Sequence, residues 1–380
     1  MHVLVNAVSA KRGGILTYTA NLCRELNNRG LTATINVPPG FPGAGIGPGS
    51  GARLVSSPAA NFGALRRLMW EQTAWRDEIR ASGADVVFSS ANYAVLSSPL
   101  PQLLLLREGG LFNPLYRRHV LPRMGPRYRA EAEVRRSLMI SSARHSTVVM
   151  FPSETMRDWV LSTAPDLKDR AVVNHYGTYV EMFRRPRLRQ WRADGGLRLL
   201  YVSVYYPHKN PLTLAQATRI LGEQGIPAHA RITMTRPEFA LWPLGRREYQ
   251  KLSEGGLADL VSLGGIPYPE LPGAYAEHDV FVFPSVSETF GHPLVEAMAA
   301  GIPIVAADTL TCREICGPAA LYHSPYDPEH LAQCIRELDA DPELRAWLTE
   351  QSLKRVARRF GWNAHVERLL ATLQQMAGSS

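Results

Sequence analysis

The stretch SETFGHPLVEAMAAG, residues 287–301, places two glutamates on either side of a glycine and a proline. Pro293 suits the first turn of a helix, where its missing N–H is no loss, and Gly301 suits a helix end. The apolar run DVFVFPS before it, residues 279–285, is typical of a strand buried on both faces. We therefore predict a strand, a loop that carries Glu288, and a short helix that carries Glu296.

The predicted loop is suited to bind an anion. The backbone N–H groups of Phe290, Gly291 and His292 precede the helix, at the positive end of its dipole, where phosphates commonly bind. The carboxylates of Glu288 and Glu296 can accept hydrogen bonds from sugar hydroxyls. A phosphate group with hydroxyls on both sides describes a nucleotide sugar. Taken singly, each glutamate has an ordinary alternative, a helix cap or a solvated loop residue.

The wider sequence resembles the retaining glycosyltransferases of the GT-B fold, family 4, which carry a Glu-x7-Glu signature. The resemblance is closest over LPGAYAEHDVFVFPSVSETFGHPLVEAMAAGIPIVAAD, residues 271–308. Weaker matches occur at GGILTYTANLCREL (13–26), FPSETMRDWV (151–160), VNHYGTYVEMF (173–183), PHKN (207–210) and CREICGPAALYHSP (312–325). Together these segments span most of the chain.

The resemblance implies an α/β protein with two Rossmann-like, doubly wound domains that face a cleft. Residues 1–186 would form the acceptor domain, and a C-terminal helix of about residues 361–380 would pack back on it. Residues 187–360 would form the nucleotide-sugar donor domain. The alternation of apolar strands and helices in both halves independently favours doubly wound α/β domains, and a polar linker is expected near residues 183–196.

The resemblance also implies roles for single residues of the signature. Glu288, which we predict to be catalytic, and the amides of Phe290, Gly291 and His292 would hold the donor sugar. Glu296 would hold the ribose hydroxyls. In this family, retention is usually explained without a protein nucleophile: the acceptor hydroxyl attacks the face that the nucleotide leaves, and the leaving phosphate oxygen takes the proton.

Lys209, in VSVYYPHKN, is the second predicted catalytic residue and a predicted nucleotide-sugar contact. A cation just past a strand can neutralise the diphosphate that leaves with the nucleotide. The family usually adds an arginine five residues earlier, in a Gly-Arg pair. Here Ser203 and Val204 take those positions, so the implied phosphate clamp is incomplete. His208 or an arginine of the first domain is the candidate replacement.

The first half supplies weaker candidates. Gly13 and Gly14 follow the first predicted strand, and in this fold the equivalent loop approaches the diphosphate; the pair also suits any tight turn. It is not a G-x-G-x-x-G pattern, which disfavours a nicotinamide cofactor. Asn92 is a candidate sugar contact. Arg107 and Glu108 stand where the family often has a histidine, and they are either acceptor or phosphate contacts or a structural ion pair.

The length and composition of the chain limit the classes of protein to which it can belong. The chain has 380 residues, 45% apolar and 20% charged, enough for two domains with sizeable cores. No apolar run approaches the roughly 18–20 residues needed to cross a bilayer, and the first residues lack a signal-peptide layout. The four cysteines have no paired metal-ligand spacing. We expect a cytoplasmic protein without metal or cofactor, whose donor substrate is of the UDP or GDP type.

The positive charge is concentrated in the first half. The net charge is +8, and residues 1–186 carry +10 of it against −2 for the rest. Residues 107–145 contain nine arginines and three acids. The stretch 116–145 is either a solvated face or a surface for an anionic membrane or a lipid-diphosphate acceptor. A nucleic-acid partner is disfavoured because aromatic residues are sparse there.

The sequence thus predicts a hexosyltransferase that moves a sugar, with retention, from a nucleoside diphosphate sugar to a glycan or lipid-linked acceptor. Cell-surface polysaccharide biosynthesis, at the inner face of the membrane, is the expected setting. Two alternatives stay open. One is a nucleotide-sugar epimerase of the same architecture. The other is a non-catalytic nucleotide-sugar or membrane-binding protein, suggested by the missing arginine and histidine.

Overall fold

A computed structural model describes residues 1–11, 13–43, 46, 51–184 and 190–378. Strands and helices alternate along this part of the chain. The strands are β1 His2–Asn6, β2 Thr32–Val37, β3 Ala52–Ser56, β4 Val86–Ser89, β5 Gln102–Leu105, β6 Val148–Phe151, β7 Ala171–Val173, β8 Leu197–Tyr201, β9 Ala228–Ile232, β10 Val261–Leu263, β11 Val280–Phe283, β12 Ile304–Ala307 and β13 Leu321–His323. Part of the predicted linker, residues 185–189, lies outside the described residues.

The helices connect these strands. They are α1 Gly14–Asn28, α2 Ala64–Gln72, α3 Ala74–Ala81, α4 Pro126–Arg144, α5 Glu154–Leu161, α6 Val180–Phe183, α7 Pro211–Glu223, α8 Arg236–Ala240, α9 Pro243–Ser253, α10 Leu271–Glu277, α11 His292–Ala299, α12 Leu310–Cys316, α13 Pro328–Ala340, α14 Pro342–Arg359 and α15 Trp362–Gly378. Within the described ranges, no helix combines the length and the apolar character that crossing a bilayer requires.

The chain divides into two compact units. The first consists of Met1–Phe112, Ala130–His175 and Asn363–Ser380, and the second of Asn113–Arg129 and Tyr176–Trp362. The short segment Asn113–Arg129 therefore comes from the first half of the sequence but belongs to the second unit. It holds two helical turns, Tyr116–Val120 and Leu121–Met124, and the start of α4.

The first unit is built on a seven-stranded parallel sheet, in the order β3-β2-β1-β4-β5-β6-β7. Its apolar core includes Leu4, Val87 and Val95 from the sheet side and Trp75 and Ile79 from α3. Because strands of such a sheet are covered on both faces, nearly every residue of β4 and β5 is apolar or buried, as the sequence predicts.

The C-terminal helix α15 is anchored inside the first unit by polar contacts. His365 is fully buried; its Nδ1 lies 3.0 Å from the carbonyl oxygen of His175, and its Nε2 lies 3.2 Å from the hydroxyl of Tyr18. The amide of Asn174 donates to the carbonyl of His365 at 3.1 Å, and Arg368 donates to Asn174 at 2.9 Å. Burial lowers the pKa of His365 to about 3, so its imidazole is neutral at physiological pH.

The second unit is built on a six-stranded parallel sheet, in the order β10-β9-β8-β11-β12-β13. A buried ion pair aligns its two central strands. Asp279, just before β11, accepts hydrogen bonds from the backbone N–H of Arg198 at 2.9 Å and from its Nη2 at 2.7 Å. This contact fixes the amino ends of β8 and β11 side by side, so the loops at their carboxyl ends also meet.

The spacing of apolar residues in NFGALRRLMWEQTAWRDEIRASG, residues 61–83, predicts one long amphipathic helix ahead of β4, but this helix is broken in the structure. It forms α2 and α3, which meet at Thr73, whose hydroxyl donates to the carbonyl of Met69 at 2.8 Å. Trp75 and Ile79 of α3 are buried, but Leu65 and Met69 of α2 are 73% and 60% exposed. The prediction of one continuous apolar face was therefore wrong, because the break turns that face of α2 toward solvent. The sequence patterns also gave no strand at β3, β7 and β13 and no helix at α4, α5, α6, α8, α9 and α12.

A glycine of α9 lets that helix pack against the loop after β8. A Cβ added at Gly245 would lie 2.4 Å from the carbonyl oxygen of Phe239 and 2.6 Å from Cε1 of Tyr205. The ring of Tyr205 stacks on that of Phe239 with 4.1 Å between centroids. Gly222, in α7, offers a contrast, because no atom lies within 4 Å of a Cβ added there.

We expect opposite effects from an alanine at these two helical glycines. Gly245→Ala forces overpacking, which costs about 2 kcal/mol, equivalent to a melting temperature lower by about 6 °C. Gly222→Ala gains about 0.5–1 kcal/mol by restricting the unfolded chain and should raise the melting temperature slightly. Differential scanning calorimetry of both variants measures this. Similar shifts for the two would contradict the packing described here.

Candidate functional site

The second sheet has one natural ligand-binding position. Its strand order reverses between β8 and β11, and in open α/β sheets ligands bind outside the carboxyl ends of the strands at such a switch point. The loop after β8 carries Lys209, and the loop after β11 carries Glu288. The fold therefore brings together two residues that are 79 positions apart in the sequence.

Backbone and side-chain hydrogen bonds tie these two loops to each other. The N–H of Val286 donates to the carbonyl of His208 at 3.0 Å. The side-chain amide of Asn210 donates to the carbonyl of Pro284 at 3.3 Å. The buried hydroxyl of Tyr201 donates to the carbonyl of Lys209 at 2.8 Å. The position of Lys209 is thus fixed on both sides, by its own strand and by the neighbouring loop.

Lys209 and Glu288 form an ion pair at this switch point. The Nζ of Lys209 lies 2.5 Å from Oε1 of Glu288, and the two side chains are only 12% and 11% exposed. The hydroxyl of the buried Thr311 donates to the backbone carbonyl of Glu288 at 3.0 Å and holds its loop in place. A charge pair this well shielded interacts more strongly than one in open solvent. A preorganised cation therefore stands where the two loops meet.

The helix that follows Glu288 begins at a glycine for a conformational reason. Gly291 is the N-cap of α11 with φ 87° and ψ 65°, in the left-handed region that favours glycine. A Cβ there would also lie 3.0 Å from Cδ1 of Leu294. The first N–H groups of any helix have no acceptor within it, and the dipole makes this end positive. The positive helix end thus lies three residues from the carboxylate of Glu288.

The residues beside Gly291 are held by ring contacts within the second unit. The imidazole of His292 stacks on the ring of Tyr176, with centroids 4.8 Å apart and planes 19° apart. Phe290 is buried and makes edge contacts with Tyr176 at 5.3 Å and with Phe360 at 5.7 Å. These contacts fix the backbone of the loop, which is the part predicted to hold the donor.

Glu296 lies on the second turn of α11, almost completely buried. The hydroxyl of Tyr275 donates to its Oε2 at 3.0 Å, and Tyr268 also hydrogen-bonds it. Burial raises the pKa of Glu296 to about 7, although the two tyrosine hydrogen bonds act in the opposite direction. Because both tyrosine hydroxyls donate to it, they orient the carboxylate of Glu296. Neither tyrosine was among the residues predicted from the sequence.

His208 cannot supply the charge of the missing arginine. Burial lowers the pKa of its imidazole well below the ordinary value, and the adjacent Lys209 lowers it further. The imidazole is therefore neutral at physiological pH and can act only as a hydrogen-bonding or stacking group. At the position of the missing arginine, Val204 is 41% exposed, and the backbone N–H of Ser203 donates to Thr233 at 2.8 Å.

The other predicted residues lie in the first unit, at the corresponding edge of its sheet. Gly13 precedes α1 with φ 67°, and Gly14 is the first residue of that helix. Asn92 has φ 61°, and its Oδ1 accepts from the N–H groups of Arg107 at 2.8 Å and Glu108 at 3.0 Å.

The two charged residues of that loop have protein partners. The carboxylate of Glu108 pairs with Arg135 of α4, and the guanidinium of Arg107 lies over the ring of Tyr18, 5.5 Å from its centroid. The structure thus records the ion-pair alternative for Glu108. The side-chain oxygen of Asn92 holds the loop that carries both residues.

No set of ligands for a metal is found in the described ranges. No three histidine, cysteine, aspartate or glutamate side chains there are grouped so that they could hold an ion. All four cysteines are buried free thiols, and burial raises the pKa of Cys23 and of Cys312 to about 12. These thiols are therefore part of the apolar core.

Two family profiles match the chain, one for each half. The profile described as glycosyl transferases group 1 matches residues 188–355, and the profile described as glycosyltransferase family 4 matches residues 12–180. The first contains Lys209, Glu288 and Glu296.

Curated relatives are similar over part of their length. The O-antigen chain mannosyltransferase B of Escherichia coli is 31% identical over 184 residues, which is 47% of this chain and 45% of that protein. The D-inositol 3-phosphate glycosyltransferase 1 of Catenulispora acidiphila is 31% identical over 217 residues, 53% of this chain and 51% of that protein. The matches thus span about half the length of these relatives.

Solved structures share the fold over the whole chain. The sucrose-phosphate synthase of Thermosynechococcus elongatus has a TM-score of 0.79 with 18% identity, covering 100% of both chains. The Anabaena protein HepE, solved in complex with UDP, has a TM-score of 0.73 with 16% identity, covering 99% of this chain and 100% of that one. With two parallel α/β sheets and both family profiles matched, the chain belongs to the family 4 glycosyltransferases of the GT-B fold.

Proposed function

We propose that this protein transfers a sugar, with retention, from a nucleoside diphosphate sugar to a glycan or lipid-linked acceptor. The observation that carries the proposal is the shielded contact of Lys209 with Glu288 at the switch point of the second sheet, beside the positive end of α11. A cation and a helix N-terminus together suit a diphosphate. The adjacent carboxylates suit hydroxyl groups on either side of it.

In this proposal each residue acts at a defined part of the donor. Lys209 and the first turn of α11 stabilise the negative charge that develops on the diphosphate as the bond to the anomeric carbon breaks. Glu288 and the backbone from Phe290 to His292 hold the transferred sugar. Glu296 binds the ribose hydroxyls. The proton of the attacking acceptor hydroxyl passes to the leaving phosphate oxygen, so no protein base is required.

Similar proteins support the choice of substrates. The HepE structures were solved with UDP, with UDP and glucose, and with UDP-glucose. Relatives at 31% and 26% identity are O-antigen chain mannosyltransferases, of Escherichia coli and Salmonella typhimurium. We therefore propose a UDP or GDP donor and a role in cell-surface polysaccharide synthesis. In this assignment residues 187–360 bind the donor, and residues 1–186 with α15 contribute contacts to the acceptor. Gly13 and Gly14 are the predicted nucleotide-sugar contacts of the first half, and Asn92, Arg107 and Glu108 are its predicted acceptor or sugar contacts.

Slow hydrolysis of the donor tests the reaction without knowledge of the acceptor. UDP-α-glucose and GDP-α-mannose are each incubated with the protein, and early time points are followed by proton NMR. We expect water to replace the acceptor and the α-anomer of the unchanged sugar to appear before mutarotation. First appearance of the β-anomer would contradict retention. A donor epimerised at a ring carbon would favour the epimerase, and tight nucleotide binding without any sugar release would favour the binding protein.

A matched pair of lysine variants ties this reaction to the site. Lys209→Ala should lower the rate of donor turnover by about 10²–10³-fold, because one preorganised group that stabilises the developing charge is removed. Lys354→Ala removes an exposed lysine of α14, whose partner is Glu350, and should leave the rate unchanged. Equal rates for the two variants would refute the assignment of Lys209.

The raised pKa of Glu296 predicts a pH dependence of donor binding. Burial favours the protonated form, and among the described residues the titratable groups that hydrogen-bond the Glu296 carboxylate are Tyr275 and Tyr268. Hydroxyls of the ribose bind the carboxylate form, which disappears as the pH falls below about 7. The affinity for UDP-glucose or GDP-mannose, whose diphosphates do not titrate here, should fall about tenfold from pH 8 to pH 6.

Isothermal titration calorimetry at several pH values measures this effect, with Glu296→Gln as the comparison. The amide cannot ionise, so its affinity should be lower at pH 8 and flat with pH. A flat profile for the unchanged protein would contradict the role of Glu296. The same pKa predicts that the folded state loses stability as the pH rises from about 4.5 to about 7, because the unfolded chain releases this proton more readily.

A membrane surface is a further part of the proposal. Within the arginine-rich stretch 116–145, the side chains of Arg135 and Arg144 are engaged by Glu108 and Asp166. Arg127 and Arg129 are exposed. They are candidates to bind an anionic membrane, where each basic side chain contributes about 1 kcal/mol.

Charge reversal tests this surface. The double variant Arg127→Glu/Arg129→Glu should bind vesicles of phosphatidylglycerol and phosphatidylcholine at least 30-fold more weakly at low salt. The matched variant Arg336→Glu/Arg358→Glu changes the net charge equally at exposed positions elsewhere. Co-sedimentation measures both. Absence of sedimentation by the unchanged protein, or equal losses in the two variants, would remove the membrane from the proposal.

A further inference from the structure

Five aromatic side chains of the second unit form a closed circuit of contacts. The ring of Tyr206 stacks on His208, with planes 11° apart and centroids 5.7 Å apart, and it also contacts Trp242 at 5.8 Å. Trp242 contacts Tyr128 at 6.1 Å, and His208 contacts Tyr116 at 5.8 Å. The hydroxyls of Tyr116 and Tyr128 lie 3.4 Å apart and close the circuit. We call these residues the aromatic circuit.

The aromatic circuit is built from three separate segments. Tyr206 and His208 lie in the loop after β8, Trp242 lies between α8 and α9, and Tyr116 and Tyr128 lie in the segment Asn113–Arg129. In that segment the first helical turn carries Tyr116 and the start of α4 carries Tyr128, so two tyrosines lie beside the other aromatic residues. Tyr116 is buried, so packing within the second unit is enough to explain its position.

Packing does not explain the side of the aromatic circuit that is exposed to solvent. Tyr206 is 37% exposed, Trp242 is partly exposed, and the neighbouring Leu241 and Val204 are 58% and 41% exposed. Tyr206 and Trp242 contact each other, and exposed aromatic rings in mutual contact commonly mark a place where a ligand or partner binds. Tyrosine and tryptophan in particular combine an apolar face with a polar group, which suits ligands that are themselves part apolar and part polar.

The circuit adjoins the proposed donor site. The N–H of Lys209 donates to the carbonyl of Tyr206 at 2.9 Å, so the two residues are the ends of one tight turn. In such a turn the Cα atoms are less than about 7 Å apart. Tyr206 lies in the loop after β8, the loop that also carries Lys209, and Trp242, which contacts Tyr206, lies after the short helix α8 that follows β9. The exposed ring of Tyr206 therefore lies next to the proposed diphosphate site.

A sugar ring is the ligand that fits such a surface. One face of a pyranose presents mainly C–H groups, which pack on aromatic rings, while its rim of hydroxyls requires donors and acceptors. The circuit offers the exposed ring of Tyr206, the indole of Trp242 and the hydroxyl of Tyr128, with the neutral imidazole of His208 behind them. The partly apolar and partly polar character matches a carbohydrate better than a purely apolar chain.

We propose that the aromatic circuit is the binding platform for a sugar ring of the acceptor, stacked on Tyr206 and Trp242 next to the leaving diphosphate. This inference rests on the proposed function, because it places the acceptor relative to the donor. It assigns a specificity-determining role to Tyr206, which touches the substrate, and a positioning role to His208, which acts through the ring of Tyr206. The segment Asn113–Arg129 then contributes to acceptor choice through Tyr128.

Saturation-transfer NMR tests the platform with simple probes. Methyl α-D-glucopyranoside and methyl α-D-mannopyranoside, each at millimolar concentration, are added to the full-length protein saturated with UDP or GDP. We expect saturation transfer to protons of one face of the ring. Tyr206→Ala should reduce it at least fivefold, and Tyr206→Phe should restore it, because the ring and not the hydroxyl stacks on the sugar.

Two controls separate this inference from the donor site. Trp347→Ala removes an exposed tryptophan of α14, 48% exposed, and should leave the signal unchanged. Lys209→Ala should weaken binding of nucleotide, measured by calorimetry, while the sugar signal persists. An unchanged signal in Tyr206→Ala at an unchanged melting temperature overturns the platform, as does a wild-type protein that gives no signal. Loss of nucleotide binding in Tyr206→Ala would also overturn the proposed platform, because it would indicate that the rings bind the nucleobase and not the acceptor sugar.

Absence of nucleotide binding to the unchanged protein has a different meaning. That result would refute the proposed function. A signal between the sugar probe and Tyr206 would still show that the aromatic circuit binds a sugar. The two failures are therefore distinguishable in one set of samples.

Discussion

The contact between Lys209 and Glu288 joins the two loops that meet at the switch point of the second sheet. Two loops from strands that are adjacent in the sheet but distant in the sequence must end side by side for it to form. Asp279 aligns the strands at one end, and the bond from Val286 to His208 joins the loops at the other. The ion pair orients the lysine side chain before any ligand arrives, so little reorganisation is needed when a diphosphate binds.

The same site holds a group that lowers the stability of the folded state. Glu296 is buried with a pKa raised to about 7. Among the described residues its donors are the hydroxyls of Tyr275 and Tyr268, and a buried carboxylate with so few donors is unfavourable unless a ligand supplies further partners. Functional sites commonly retain such unfavourable groups, and their presence beside a preorganised cation is consistent with binding of a polyhydroxylated anion.

Local features of the fold were predictable, and contacts between segments were not. The apolar run of β11 and the Pro293–Gly301 pattern predict strand, loop and helix because the signals lie within a few residues. The prediction that Lys209 and Glu288 bind the same donor came from the resemblance to the family and from no local pattern. Nothing near Tyr275 in the sequence points to Glu296, since they meet only through tertiary packing. Periodicity likewise missed the break at Thr73 and the placement of Asn113–Arg129 in the second unit.

A crystal structure of the protein with UDP-glucose or GDP-mannose would show directly where the donor binds. We expect diphosphate oxygens within hydrogen-bonding distance of Nζ of Lys209 and of the backbone N–H groups at the start of α11, with the ribose hydroxyls on Glu296. A nucleotide bound elsewhere, with the pair of Lys209 and Glu288 undisturbed and the first turn of α11 uncontacted, would contradict this expectation.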